Sequence, residues 1–333
     1  MKTITRSLAL LTLALLGGCP KRSSTLPAPA PTPGPGSQLP PAPWRPPRLE
    51  MIAEVADLDD ALTKGDANRY LAHFSADPYS FMLGSGPGEL YVGPQAFSDT
   101  IRRSLARGGI LVRQTDIQTH AAADNSGGVA YVEFEVLTFQ GERQFALPMR
   151  MTLVFERGYD NRLRIVGGHT SVAIADGALL ARAASGTATQ PAQIQQTISP
   201  TASELYQTVM AMQQGGWDAV RRYTSTAPTV LIVGTAPGER WTGADYAGEP
   251  KPPVTAPLTP SYGPAHVWVS QRGTWGFATY LITLTGDVGG APVSVQNRIT
   301  EVFERGADGW KRVHAHASAP MAPADLSGAM VAR

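Results

Sequence analysis

The 333-residue chain contains a single cysteine, Cys19, and this scarcity excludes several kinds of site. One cysteine cannot form an intrachain disulfide, and it cannot build a zinc or iron–sulfur centre that depends on cysteine ligands. The formal net charge is +1, so neither a basic surface for nucleic acid nor an acidic tail for a charge-driven partner is predicted. The apolar run Leu8–Leu16 is too short to span a bilayer as a mature helix.

The first residues have the layout of a secretory signal. Lys2 and Arg6 precede the apolar run, and the following stretch LLGGC resembles a bacterial lipobox. The resemblance implies cleavage after residue 18 and acylation of Cys19, which would then be unavailable as a nucleophile. We therefore expect residues 1–18 to be a lipoprotein signal peptide and the protein to be anchored in the bacterial cell envelope, with the outer membrane favoured. The alternative is an ordinary signal peptide followed by an incidental cysteine.

Residues 19–48 are rich in proline, with the runs PAPAPTPGPG and PPAPWRPP. Proline fixes φ and removes the backbone donor, so this segment is predicted to be an extended tether, partly in the polyproline II conformation. A proline-rich ligand for a partner domain is the alternative interpretation.

The remaining chain contains an internal repeat. LGSGPGELYVG (83–93) returns as VGTAPGERWTG (233–243), and VFERG occurs at Val154–Gly158 and again at Val302–Gly306. Matches that keep their order and spacing indicate two copies of one domain. We predict domain 1 at 49–175, a linker at 176–199, domain 2 at 200–323 and a tail at 324–333.

Each copy begins with helical periodicity and continues with alternating strands. The first helix of domain 1 has an apolar face ending at Lys64-Gly65, and that of domain 2 ends at Gly215, with Ser199 fitting its N-cap. The stretches 130–139 and 276–285 alternate as strands. This order predicts an α+β fold: two tandem domains, each with N-terminal helices packed on a curved antiparallel sheet.

Two motifs resemble a known superfamily. The turn G-x-x-P-G-E-x-[YW]-x-G and the strand R-x-T-x-V-F are similar to SnoaL-like domains, which belong to the nuclear transport factor 2-like superfamily. The end of domain 2 resembles the association domain of calcium/calmodulin-dependent protein kinase, through Trp310, Val313, His314, His316, Ser318, Ala319 and Pro320. The resemblance implies cone-shaped domains that pair through their sheets, so the two copies are expected to form an intramolecular pseudo-dimer. It leaves the activity open, because this fold hosts both enzymes and binding modules.

The candidate ligand-binding residues lie at equivalent positions of the two copies. Arg150 and Arg298 lie in strands, where a half-buried arginine must be paired or must bind an anion. Resemblance to the kinase association domain implies a pocket for a small carboxylate; a structural ion pair with Glu156, Glu304 or another acid is the alternative. The aromatic candidates for a pocket lining are Tyr131, Phe277 and Trp241.

The remaining candidates are paired acids and histidines. Glu89 and Glu239 would face a cavity or, alternatively, brace the glycine-rich turns. His169 and His316 could act in proton transfer or be ordinary core residues. No metal site is predicted, because His314 and His316 have no third ligand at a suitable spacing, and no cofactor is predicted.

The resemblance also implies that catalytic members use a buried aspartate. Asp57, Asp59 and Asp60 lie on the first helix, but the sequence alone does not assemble them into a catalytic pair. The leading hypothesis is a lipid-anchored module that binds a small carboxylate, an apolar ligand or a protein. The alternative is an enzyme that moves a proton on an apolar carbonyl compound. A buried, unpaired carboxylate beside a cavity would favour the enzyme.

Overall fold

The computed structural model describes residues 46–140, 142–248 and 258–332. The predicted signal peptide, Cys19 and almost all of the predicted tether lie outside these residues. No helix in the described part of the chain is long and apolar enough to cross a membrane.

Domain 1 has its helices before its long strands. Its first helix carries a buried stripe of Met51, Val55, Leu58 and Ala61, and Gly65 ends it in the left-handed conformation with φ 72°. The helices are α1 (Pro47–Lys64), α2 (Ala67–Ala72) and α3 (Pro94–Leu105). The strands are β1 (Phe81–Leu83), β2 (Leu90–Val92), β3 (Val112–Ala121), β4 (Gly127–Gln140), β5 (Arg143–Arg157) and β6 (Leu163–Ser171).

Domain 2 repeats this order with a shorter first and third helix. Its helices are α5 (Ser203–Gln214), α6 (Gly216–Tyr223) and α7 (Gly243–Gly248), where the linker supplies α4 (Asp176–Ala184). Its strands are β8 (Leu231–Val233), β9 (Arg240–Thr242), β10 (Thr259–Val269), β11 (Trp275–Val288), β12 (Ala291–Gly306) and β13 (Gly309–Ser318), and the linker adds β7 (Thr197–Ile198).

The two sheets have equivalent strand orders when sheet 2 is read in reverse, and β7 is an additional strand at one edge of sheet 2. Sheet 1 runs β2-β1-β6-β5-β4-β3, and sheet 2 runs β7-β10-β11-β12-β13-β8-β9. The long strands are antiparallel, whereas β1 and β8 pair in parallel with β6 and β13. The predicted α+β architecture of two tandem domains is confirmed.

The structure differs from the sequence analysis at three places: two strands that were not predicted and one predicted helix cap. The third strand of each domain, β3 or β10, was not predicted, because its apolar alternation is weak and its outer half is exposed. Ser199 does not cap α5: that helix begins at Ser203, and the Ser199 hydroxyl accepts a hydrogen bond from the Val269 amide at 3.2 Å.

The segments after each domain cross to the other domain. Helix α4 of the linker packs along β12. Strand β14 (Val331–Ala332), in the predicted tail, pairs with β5 of domain 1. A salt bridge at 3.1 Å joins Arg182 to Asp325, so the two crossing segments also contact each other.

Candidate functional site: the cone of domain 1

The two domains meet through one face of each sheet, and most of the predicted site residues lie in this interdomain interface. Its apolar part contains Phe81, Val154, Trp268, Phe277 and Val302, each at most 1 % exposed. Phe277 therefore packs between the domains and does not line a ligand cavity.

Arg150 and Arg298 each hold the glycine-rich turn of the opposite domain. Arg298 Nη1 donates to the carbonyl oxygens of Gly84 (2.7 Å) and Gly86 (3.0 Å), and Nη2 donates to that of Ser85 (3.3 Å). Burial lowers the pKa of Arg298 to about 10.

Arg150 makes the equivalent contacts in the other direction. It donates to the carbonyl oxygens of Gly234 (3.0 Å), Thr235 (3.1 Å) and Ala236 (3.3 Å). The predicted carboxylate pocket is wrong in its geometry, because protein carbonyls occupy both guanidinium groups. The two acids named in the predicted alternative do not pair with these arginines, since Glu156 accepts from the Gln271 amide and Glu304 bonds to His120.

Glu89 and Glu239 brace the two turns, which is the alternative that the sequence left open. The Glu89 carboxylate accepts from the Gly86 amide at 2.7 Å, and Glu239 accepts from the Ala236 amide at 2.8 Å. Glu89 is fully buried, and desolvation raises its pKa to about 7.

The histidines form a buried polar layer between the domains. His169 bonds to Thr300 (3.1 Å) and Ser318 (2.7 Å) of domain 2. His316 bonds to Thr152 (3.0 Å) and Ser171 (2.8 Å) of domain 1. The two imidazole rings stack with their centroids 4.1 Å apart.

The remaining aromatic candidates also lie away from a ligand cavity. Tyr131 is 1 % exposed, packs near the rings of His314 and His316 and donates to Glu133 at 2.9 Å. Trp241 packs beside Tyr246, with ring centroids 6.0 Å apart.

A cavity of about 120 Å³ lies inside the cone of domain 1. None of the nine residues predicted to bind a ligand lines it. Its walls are mostly apolar and include Met82, Met149, Met151, Phe97 and Phe134. The other side of the sheet is used for the interdomain interface, so this cavity lies on the face covered by the helices.

Asp59 of α1 is the one carboxylate among the described residues that line this cavity. It is half-buried, and burial raises its pKa to about 6. No ion pair or hydrogen bond to its side chain is formed by the described part of the chain. Its neighbours Asp57 and Asp60 differ, because both pair with Arg69.

Tyr70 of α2 lies beside Asp59 in the cavity wall. Burial, together with the nearby Asp59 charge, raises the pKa of the Tyr70 phenol well above its usual value. The phenol is therefore neutral at physiological pH and able to donate a hydrogen bond. Sequence reasoning noted Asp59 but missed Tyr70, because the apolar spacing of α2 gave no sign that its ring enters the cavity.

Domain 2 does not repeat this arrangement. The equivalent salt bridges Glu50–Arg157 and Glu204–Arg305 align α1 with α5, and this alignment places Gln213 at the position of Asp59. The matching isolated bridges of Phe74 and Thr224 place Val220 at the position of Tyr70. The carboxylate and the phenol of domain 1 are thus replaced by a side-chain amide and an aliphatic side chain.

A buried ion pair occupies the cone of domain 2. Arg312 donates to Glu301 at 2.7 Å and to Thr224 at 2.7 Å, and Tyr280 donates to Glu301 at 3.0 Å. The strand pairings make Leu153 the counterpart of Glu301 in domain 1. The matching isolated bridges make Ile165 the counterpart of Arg312.

The described residues contain no cluster of three or more histidine, aspartate, glutamate or cysteine side chains arranged to hold a metal ion.

A family model for the SnoaL-like domain matches residues 53–175 and 203–322, more than half of the chain. The chain therefore belongs to the SnoaL-like family, and the predicted tandem copies are confirmed. Such domains have a fold of the ligand-binding or enzymatic type. A search of curated proteins gave no match.

Several solved structures resemble one domain of this chain. An NTF2-like protein of unknown function from Pseudomonas putida is 15% identical, with 39% of this chain and 90% of that chain covered and a TM-score of 0.34. A candidate calcium/calmodulin-dependent protein kinase II association domain from Xanthomonas campestris is 17% identical, with 37% and 85% covered and a TM-score of 0.31. A candidate dehydratase of the NTF2-like family from Streptomyces avermitilis is 14% identical, with 38% and 96% covered and a TM-score of 0.33. Identities this low concern the fold alone.

Proposed function

We propose that domain 1 binds a small, mainly apolar carbonyl compound in its cone and that Asp59 transfers a proton on it. One observation carries this proposal: a carboxylate without a partner among the described residues lies in the wall of an apolar cavity. A buried acid normally has a partner, so an unpaired one in a cavity is a candidate for function.

The protonation state of Asp59 suits this chemistry. A carboxyl group with a pKa of about 6 is mainly ionised at pH 7, yet it is more basic than an ordinary aspartate. It would accept a proton from the carbon next to the carbonyl group while the neutral Tyr70 phenol donates a hydrogen bond to the carbonyl oxygen. In a substrate whose carbon–carbon double bond conjugates with the enolate, return of the proton to the far carbon of that double bond completes an isomerisation; in a β-hydroxy compound, loss of the hydroxyl group with that proton, as water, completes a dehydration.

Domain 2 serves in this proposal as a structural partner. Its cone carries a paired Glu301 and Arg312 where domain 1 has apolar walls. Reciprocal contacts from Arg150 and Arg298 support an intramolecular pseudo-dimer. One chain would thus supply both halves of a pair that separate subunits supply in other proteins of this fold.

The anchoring part of the proposal rests on the sequence alone. We expect Cys19 to be lipidated and the protein to reside in the cell envelope, since LLGGC resembles a lipobox. Metabolic labelling with a clickable fatty acid should label the wild-type protein. The Cys19→Ser variant should lose the label and leave the membrane fraction; equal labelling of both proteins would exclude this anchor.

Binding is tested by a thermal-shift screen of the lipid-free protein against apolar ketones. A ligand that binds only the folded state raises the melting temperature as its concentration rises. Met151→Phe narrows the cavity of domain 1 and should remove the shift. Ile299→Phe, the matched substitution in domain 2, should preserve it; equal effects of both would place the ligand elsewhere.

Proton transfer is tested by hydrogen–deuterium exchange at the carbon next to the ketone carbonyl, followed by NMR in D₂O. The wild-type protein should accelerate exchange with an inflection near pH 6, because only ionised Asp59 accepts a proton. Asp59→Asn should bind the ketone and lose at least 100-fold of the exchange rate, a loss on the order of that for a general base. Binding without accelerated exchange in the wild type would leave a ligand-binding role and exclude catalysis on these compounds.

A further inference from the structure

A second apolar cleft adjoins the cone cavity of domain 1. It has a volume of about 210 Å³ and lies among α2, the start of α3 and strands β1 and β6. We call it the rear cleft, and the cavity that contains Asp59 the front cavity. The described residues that line the rear cleft are apolar or small and polar, such as Leu71, Ser75 and Ser98, and none carries a charge.

Two side chains separate the front cavity from the rear cleft. Met82 of β1 and Phe97 of α3 line both spaces. Phe97 packs against Phe74, which lines the rear cleft, with ring centroids 4.7 Å apart. It also packs against Tyr91, which lines the front cavity, at 5.9 Å. The partition is thus one side chain thick.

Met82 is well suited to yield to a ligand. Its thioether side chain is unbranched and adapts to irregular spaces more readily than other apolar side chains. It lies over Gly168, where a Cβ atom would overlap the methionine, so the absence of a side chain at that position gives Met82 its room. A change of its rotamer would remove one of the two side chains that separate the two spaces.

The volumes of the front cavity and the rear cleft indicate that a ligand would occupy both. Small-molecule sites typically enclose about 300–1,000 Å³, and the front cavity alone falls well below that range. The front cavity and rear cleft together reach its lower end. A ligand of ordinary size would therefore need both.

We propose that domain 1 takes an elongated ligand, with a carbonyl group at Asp59 in the front cavity and an unbranched apolar tail that passes Met82 and Phe97 into the rear cleft. This inference rests on the proposed function and adds the class of ligand. The head group is neutral, because ionised Asp59 would repel a carboxylate. The tail is apolar, because no charged side chain of the described chain lines the rear cleft.

The test is a chain-length series of linear methyl ketones, from 2-pentanone to 2-dodecanone, titrated into the lipid-free protein by calorimetry. Each methylene that enters an apolar site should raise the affinity about three- to fourfold. We expect this increase to continue for chains longer than the front cavity can hold. An affinity that stops rising at the short members would overturn the inference.

Substitutions that fill the rear cleft identify the route of the tail. Ser98→Phe and Ala76→Phe each place a ring in the rear cleft and should stop the increase at short chain lengths, while the shortest ketone still binds as in the wild type. Gln95→Phe is the matched control, since Gln95 is exposed on the same helix as Ser98 and lines neither space. An unchanged chain-length dependence in both filled variants would also overturn the inference.

The two proposals fail in different ways. If the short ketones bind and depend on Met151 while longer chains gain nothing, the proposed function stands and the elongated ligand is excluded. If no ketone of any length binds, both are contradicted.

Discussion

The pair Glu301 and Arg312 shows how single residues separate the two domains. Both side chains are at most 4 % exposed, and they bond to each other and to Thr224 and Tyr280. The corresponding positions in domain 1 hold Leu153 and Ile165. The same backbone thus supports either a buried ion pair or an apolar contact, and the choice changes the chemistry inside the cone.

This comparison predicts a non-additive effect on stability. Arg312→Ile alone leaves Glu301 buried without its ion-pair partner and should lower the free energy of unfolding by about 3–5 kcal/mol. The double variant Glu301→Leu/Arg312→Ile copies domain 1 and should recover most of that loss, as measured by urea denaturation. A double variant less stable than Arg312→Ile would show that the network as a whole, with Tyr280 and Thr224, is needed.

At the scale of elements, the glycine-rich turns 84–89 and 234–239 each connect one domain to the other by hydrogen bonds. In each turn a glutamate occupies the space above a glycine: a Cβ atom on Gly84 would overlap Glu89, and one on Gly234 would overlap Glu239. The glutamate turns backbone carbonyls outward, and the arginine of the opposite domain binds them. This explains why the glycine and the glutamate occur in both copies.

Removing the hydrogen bonds between one arginine and the opposite turn should therefore weaken the pairing of the domains. Arg298→Gln removes charged donors from three carbonyl oxygens and should lower the free energy of unfolding by about 3 kcal/mol or more. Arg298→Lys should restore little, because a single ammonium group cannot reproduce the guanidinium fork. Arg272→Gln, an exposed control, should change stability by less than about 0.5 kcal/mol. Loss of stability in all three variants alike would contradict a specific role for Arg298.

Across the whole molecule, the histidine layer makes the interdomain interface sensitive to acid. Burial lowers the pKa of His314 to about 3 and those of His169 and His316 well below their usual value. Their hydrogen-bond partners include the hydroxyl groups of Thr152, Thr300, Ser171 and Ser318. The guanidinium groups of Arg150 and Arg298 lie near His169 and His316, and that of Arg312 lies near His314. The positive charges disfavour an imidazolium ion, and only for His314 does a backbone hydrogen bond at Leu231 act against burial.

The sign of the pH dependence follows from these shifts. Above about pH 6.5 the histidines are neutral in both the folded and the unfolded chain, so they do not change the free energy of unfolding with pH. Below about pH 6.5 the histidines of the unfolded chain bind protons and those of the folded chain do not. The free energy of unfolding therefore falls by about 1.4 kcal/mol per pH unit for each histidine. The pKa values of Glu89 and Asp59 are raised to about 7 and about 6, so protonation of these acids increases stability as the pH falls, down to 4.5 for Glu89 and 3.8 for Asp59. We expect partial compensation from pH 6.5 to 4.5 and a steep loss below.

The slope of stability against pH, rather than stability itself, tests this prediction. His316→Gln should reduce the slope below pH 4.5 by about 1.4 kcal/mol per pH unit, whatever it costs at pH 8. Denaturant unfolding measured between pH 8 and pH 3.5 would determine both quantities. A slope identical to that of the wild type would show that His316 is protonated in the folded state.

Local signals in the sequence determined the domain repeat and the fold class. The repeated turns, the helix ends at Gly65 and Gly215, and the alternation of the long strands depend on residues close together in the chain, so they can be read without a structure. The bracing role of Glu89 was visible as an alternative for the same reason. Strands β3 and β10 were missed because their outer halves are exposed and lack a clear alternation.

Only the tertiary structure decided which face of each sheet carries which role. Alternation shows that Arg298, Thr300 and Val302 share a face, but both faces of these sheets are covered, one by helices and one by the other domain. The sequence therefore could not distinguish an arginine in a ligand pocket from an arginine that binds the opposite turn. It also could not separate Asp59 from Asp57 and Asp60, because Arg69 reaches the latter two from another helix. What makes Asp59 a candidate is the absence of a described partner, and that depends on distances across the fold rather than on spacing along the chain.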